Sequence, residues 1–138
     1  MSVEENKALV LRLYEAFDKG ELSAFGEHVD SSFVADVLGT TTLDWAGFQQ
    51  FSTAFRSAFP DGAHVFSHIV ADREDVVTVG SYHGTQTGSF NGIAATNLEI
   101  KLPVMHLDRV VNGRIIEHRG IANEHDFLRQ LGAKLAAG

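Results

Sequence analysis

The chain has no cysteine. That absence excludes disulfides, zinc–thiolate sites, iron–sulfur clusters and a thiol nucleophile. It is also short of cations, with 11 Lys and Arg against 18 Asp and Glu, for a net charge of −7. Nucleic-acid binding without sequence preference needs many phosphate-neutralising side chains, so this balance argues against it. No apolar run approaches the roughly 20 residues that span a bilayer. The opening Met1-Ser2-Val3-Glu4-Glu5-Asn6 is acidic and polar, the reverse of a secretory leader. A cytoplasmic location is therefore the expectation. Tyrosine and tryptophan are scarce, at two and one, whereas phenylalanine numbers ten. Phe fills volume without asking for a hydrogen-bond partner. At 138 residues with 44% hydrophobic residues the chain has room for one domain with a sizeable core, 1–138, and not for two.

Periodicity divides the chain into a helical half and a stranded half. Leu9, Val10, Leu13, Tyr14 and Phe17 recur at helical spacing, Ser2 with Glu5 fits a capping box, and Gly20 ends the helix. A helical turn follows over 22–29, then a short strand over 32–38. Trp45, Phe48, Phe51, Phe55 and Phe59 form one aromatic stripe on a helix that Pro60-Asp61-Gly62 stops. Beyond residue 62 the period becomes two, giving strands over 64–71, 76–87, 98–111 and 114–121. Asn112-Gly113 marks a hairpin between the last two. A glycine-punctuated loop spans 88–97, and an amphipathic helix runs over about 124–131. Helices followed by long antiparallel strands make an α+β order: N-terminal helices packed on a strongly bent antiparallel sheet, with a pocket between the layers. Most of the net negative charge falls in the helical half.

Four stretches carry a family likeness: Phe59-Pro60-Asp61, the run from Gly84 to Ile93, Asn112-Gly113-Arg114-Ile115-Ile116-Glu117-His118, and Leu128-Arg129-Gln130-Leu131-Gly132. In this order and spacing they resemble the SnoaL-like polyketide cyclases of the NTF2-like superfamily, over essentially the whole chain. The resemblance implies a cone-shaped α+β barrel, an apolar cavity, and homodimers formed through the sheet. It also implies cofactor-free aldol ring closure with an Asp as acid and base. Family cyclases place that Asp after a Glu-His-Trp run at the end of the last strand. Here the run is Glu117-His118-Arg119, and Gly120 stands at the Asp position. The early strand has Phe33-Val34-Ala35-Asp36 where a His often closes the motif, and Gln86 stands where a His is frequent.

Chemistry of this kind takes a proton from carbon beside a carbonyl and stabilises the enolate, so it needs a group poised near neutral pH and a donor for oxygen. His serves without perturbation, whereas a carboxylate must be desolvated. His106 and Asp108 alternate onto one strand face, about 6–7 Å apart, and family members usually carry an aromatic at the second position. A strict two-residue turn at Asn112-Gly113 pairs His106 with Arg119 and Asp108 with Glu117. A three-residue turn with a glycine bulge pairs His106 with His118 and Asp108 with Ile116. The second avoids facing two acids and is adopted here. The expected catalytic set is His106, Asp108 and His118, with Tyr14, Trp45, Phe51, Phe55, Gln86, Arg119 and Asn123 around an apolar or aromatic ligand. The bland alternative is a satisfied hydrogen-bonded set in a non-catalytic module that binds a hydrophobic ligand or serves as a dimeric scaffold. Asp126 is read as complementing a helix dipole. His64 and His68, four apart on one strand, are too distant to chelate one ion, and no metal or cofactor is expected.

Overall fold

The computed structural model describes residues 2–39 and 41–132. α1 spans Val3–Lys19. Its capping box forms as the sequence predicts, with Ser2 and Glu5 exchanging bonds, and Gly20 closes it in the left-handed conformation at φ 72°. A short α2, Leu22–Phe25, runs through a 3₁₀ turn, Gly26–His28, into β1, Val29–Val37. Beyond Gly39 a further strand, which periodicity does not announce, β2, Thr41–Leu43, pairs back onto β1. α3, Trp45–Ala58, starts from Asp44, whose carboxylate accepts the Gly47 N–H at 2.8 Å. β3 (Ala63–Asp72), β4 (Asp75–Thr85), β5 (Glu99–Val111) and β6 (Arg114–Ala122) follow, then α4, Glu124–Gln130.

The strands form one curled, unclosed sheet in the order β2-β1-β6-β5-β4-β3. Its pairings are antiparallel except that of β1 with β6, which is parallel. α1 crosses the concave face, and α3 packs beside it, as the α+β reading expects. The main core joins Leu9, Val10, Leu13 and Phe17 of α1 to Phe48 of α3 and to Phe33, Val76, Val110 and Ile115 of the sheet. Phe48, Phe51 and Phe55 touch ring to ring, and Phe55 continues to Phe59, Tyr82, Phe90 and Phe127.

Two bulges decide which side chains face inward. In β3 the register shifts between Phe66 and His68. His64 therefore turns into the concave face while His68 lies exposed, and the two do not share a face as simple alternation predicts. Opposite this bulge Gly80 carries no side chain, because a Cβ there would lie 2.1 Å from the Val65 carbonyl oxygen. The second bulge lies in the β5–β6 hairpin. The turn is the tight two-residue one, with Asn112 and Gly113 both at positive φ and Val111 facing Arg114. Ile116 is then extra, so Arg109 faces Glu117, Asp108 faces His118 and His106 faces Gly120.

This corrects both registers drawn from the sequence. The extra residue sits in the strand rather than the turn, which moves the adopted pairing by two positions and preserves its parity. The two acids are kept apart, and Glu117 turns to the outer face.

Candidate functional site

The inward-facing polar residues of β4, β5 and β6 meet Tyr14 of α1 beneath the helices. Asp108 is fully buried, and both its oxygens are engaged. Tyr14 donates its hydroxyl to Oδ2 at 2.5 Å, and His118 Nδ1 lies 2.7 Å from Oδ1. A carboxylate only accepts, so His118 donates through Nδ1, and Nε2 stays outside this bond. Thr78, also fully buried, holds Oγ1 3.2 Å from His106 Nδ1 and bonds the Tyr14 oxygen as well. Tyr14 gives its own proton to Asp108, so its oxygen can only accept from Thr78, which leaves the Thr78 oxygen to accept from His106 Nδ1–H. A continuous chain results: His106, Thr78, Tyr14, Asp108, His118. Its two ends are imidazoles stacked at 5.6 Å between centroids.

The electrostatics follow from enclosure. Burial first, then the neighbouring His118 and His64 rings, hold the His106 imidazole well below its ordinary 6.5, so it is neutral at pH 7. Burial first, then the Asp108 charge, pushes the Tyr14 hydroxyl well above 10, so it remains a donor. Gly120 stands beside the ends of the chain. A Cβ on it would lie 3.7 Å from Nε2 of His106 and 3.7 Å from Nε2 of His118. The missing side chain therefore lets both rings close in on the β6 backbone, since a Cβ there would also press on His106 Cδ2 at 3.1 Å.

The structure thus brings His106, Asp108, His118 and Tyr14 into one network. Phe51 and Phe55 lie in the aromatic layer above it. Trp45 sits at one edge of that layer against Phe33 and Phe48, and Phe48 touches the His118 ring at 5.0 Å.

Three expected ligand contacts fall elsewhere. Gln86 is buried, but its side chain is spent on the loop: it donates to the Ile93 carbonyl and accepts from Thr96 N and Oγ1. Arg119 is exposed on the outer face, paired with Glu117 at 2.7 Å, because the bulge fixes odd positions of β6 outward there. Asn123 is the N-cap of α4, accepting from Asp126 N at 2.9 Å. Asp126 bonds Arg129 and Gln130 within that helix, in the local role expected of it.

Sequence reasoning missed Thr78, Asp18 and the inward side of His64. Asp18 accepts from the His64 backbone N–H at 2.8 Å and lies 2.7 Å from its Nδ1. The signals were present: Asp18 follows Tyr14 by four residues on one helix face, and His64 alternates with Phe66. Among the described residues no group of three or more His, Asp or Glu is arranged to hold a metal ion. Two surface clefts, one of about 480 Å³ between α3 and the α1–α2 corner and one of about 250 Å³ between α1 and α2, do not include the network. No helix of the described residues is long and apolar enough to cross a membrane.

A family model described as SnoaL-like polyketide cyclase matches residues 8–131. The chain belongs to the SnoaL-like polyketide cyclase family. Among solved structures, this family member is similar to IdmH of Streptomyces antibioticus, provisionally described as a polyketide cyclase. The two share 28% identity and a TM-score of 0.81, over 93% of this chain and 99% of that one. AclR of Streptomyces galilaeus, provisionally described as a hydroxylase, shares 25% identity and a TM-score of 0.84 over 95% and 98%. A SnoaL-like protein of Jannaschia superposes at TM-score 0.87 over 96% and 94%, with 18% identity, and speaks for the fold alone. Comparison by sequence with curated proteins finds no match.

Proposed function

We propose that this SnoaL-like protein catalyses cofactor-independent acid–base chemistry, ring closure or isomerisation, on a small and mostly apolar carbonyl compound. The observation that carries the reading is the hydrogen-bonded chain whose two imidazole ends converge beside Gly120. In the resemblance, an Asp at that position is acid and base. Here the carboxylate comes from β5 instead and acts through His118. Asp108 holds the ring by Nδ1, so Nε2 is the base that takes a proton from the carbon next to the carbonyl. Asp108 also offsets the imidazolium charge that forms. His106, kept neutral by burial, lies alongside as a second acceptor, and Tyr14 fixes the carboxylate. Phe48, Phe51 and Phe55 supply the apolar wall.

The test is solvent exchange at carbon. With 4-phenylbutan-2-one in D₂O, the parent protein is expected to speed loss of the α-proton signals by NMR, and His118→Ala to lower that rate about 100-fold. No acceleration by the parent over buffer would overturn the enzyme reading and leave the ligand-binding alternative.

A specific observation favours self-association alongside catalysis. Val65, Val70, Met105 and Ile121 are about half exposed or more on the outer face of the sheet. Met105 sits between Val79 and Ile121 in one row across three strands. We propose that a second copy of the chain covers this face, as the family likeness implies.

A further inference from the structure

The chain from His106 to His118 leaves out the pair formed by Asp18 and His64. These two come from α1 and β3, 46 residues apart, and are largely buried, at 9% exposure for the His64 side chain and 16% for Asp18. Asp18 engages His64 twice, through Nδ1 and through the backbone N–H, so the ring is fixed in direction as well as position. Among the described residues His64 Nε2 has no hydrogen-bond partner. The ring does not sit apart from the network. Its centroid is 5.0 Å from Tyr14, 5.4 Å from His106 and 5.0 Å from Tyr82. His106 therefore stands between two Asp–His pairs of the same construction, each with Nδ1 on a carboxylate and Nε2 uncommitted.

A tie between α1 and the sheet is made more cheaply by apolar contact, since burying a carboxylate and an imidazole together costs desolvation. Two such pairs flanking one imidazole have the geometry that a reaction moving two protons requires. We propose that Asp18–His64 is the second proton-transfer pair of the site, with His64 delivering a proton to the substrate's oxygen and Asp18 as its positioning residue. The inference rests on the function proposed above and deepens it: the substrate carries an enolisable C–H and a second carbonyl, and the step is an aldol closure with separate base and acid. The α-C–H bond breaks and its proton goes to His118 Nε2. The freed electron pair forms the new C–C bond to the second carbonyl carbon. The π pair of that carbonyl moves to its oxygen, which takes the proton from protonated His64. His118 ends protonated and His64 neutral, and exchange with water resets both. Asp18, 2.7 Å from Nδ1, balances the imidazolium before transfer.

The probe is 4-hydroxy-4-phenylbutan-2-one, which reports two rates in one tube of D₂O. Exchange of its α-protons needs the base alone. Retro-aldol cleavage to benzaldehyde and acetone needs a proton moved at oxygen as well. The ratio of cleavage to exchange is expected to fall about 100-fold in His64→Gln and in Asp18→Asn. In His118→Ala both rates fall together. An unchanged ratio in folded His64→Gln and Asp18→Asn would overturn the proposal while leaving the function intact. A parent that accelerates neither rate would overturn both. Should both variants fail to fold, ¹⁵N NMR of the intact parent decides. A shift of the His64 Nε2 resonance on adding the probe supports the assignment, and an unmoved resonance rejects it.

Discussion

His106 is the residue at which enclosure has its clearest energetic consequence. Its folded-state pKa lies well below the ordinary 6.5, chiefly through desolvation. On acidification the unfolded chain therefore binds this proton before the folded one does. The stability contributed by a neutral His106 is complete above about pH 6.5 and is lost as the pH falls below it, at no more than about 1.4 kcal/mol per pH unit for one proton. The melting temperature of the parent is expected to drop between pH 7 and pH 5 more steeply than that of His106→Asn, by thermal unfolding at matched ionic strength. Parallel curves would show that the ring is not desolvated as the structure has it.

Gly120 is the companion case. A Cβ there would meet His106 Cδ2 at 3.1 Å, so the ring must give by a few tenths of an ångström. Gly120→Ala is expected to lower α-proton exchange about 10-fold through misplaced imidazoles, while costing only about 1 kcal/mol of stability. Equal exchange rates in variant and parent would mean that the close approach of the two rings to Gly120 does not matter to the reaction.

At the scale of elements, the α1 helix, the α3 stripe and the four long strands were legible to within a residue or two, because each is set by its own periodicity and caps. The β5–β6 register was not. Asn112-Gly113 predicts a tight turn, and the tight turn forms, but the extra residue at Ile116 depends on what packs on either side of the sheet. Without it Asp108 would face Glu117. With it, Asp108 faces His118, and Glu117 lies partly exposed on the outer face beside Arg119.

The loop after β4 teaches the same lesson from the other side. Gln86 looks like a ligand-reaching amide in sequence, yet its three bonds to Ile93 and Thr96 hold the segment in place. Gln86→Ala is expected to cost about 2–3 kcal/mol by denaturant unfolding, because buried loop groups are left unsatisfied. A cost below half that would mean the amide is dispensable to the loop.

For the whole molecule, the sheet is a partition. Its concave side collects His64, His106, His118 and Asp108, and its convex side presents Val65, Val70, Met105 and Ile121. Ile121, 61% exposed, lies in the same row as Met105. By size-exclusion chromatography with light scattering, the parent is expected at twice its 15.0 kDa chain mass and Ile121→Arg at that mass. A monomeric parent would remove the self-association reading. The sequence by itself determined the class of the fold, the helices and strands, and the fact that His106 and Asp108 share a face, since all of these follow from local periodicity. Only the tertiary structure decided that Tyr14 and Thr78 join them, that Asp18 meets His64, and that Gln86, Arg119 and Asn123 are used elsewhere. Those outcomes turn on two bulges and on the lie of α1 across the sheet, and a bulge is selected by packing and by the pairing of buried charge, which no window of sequence contains.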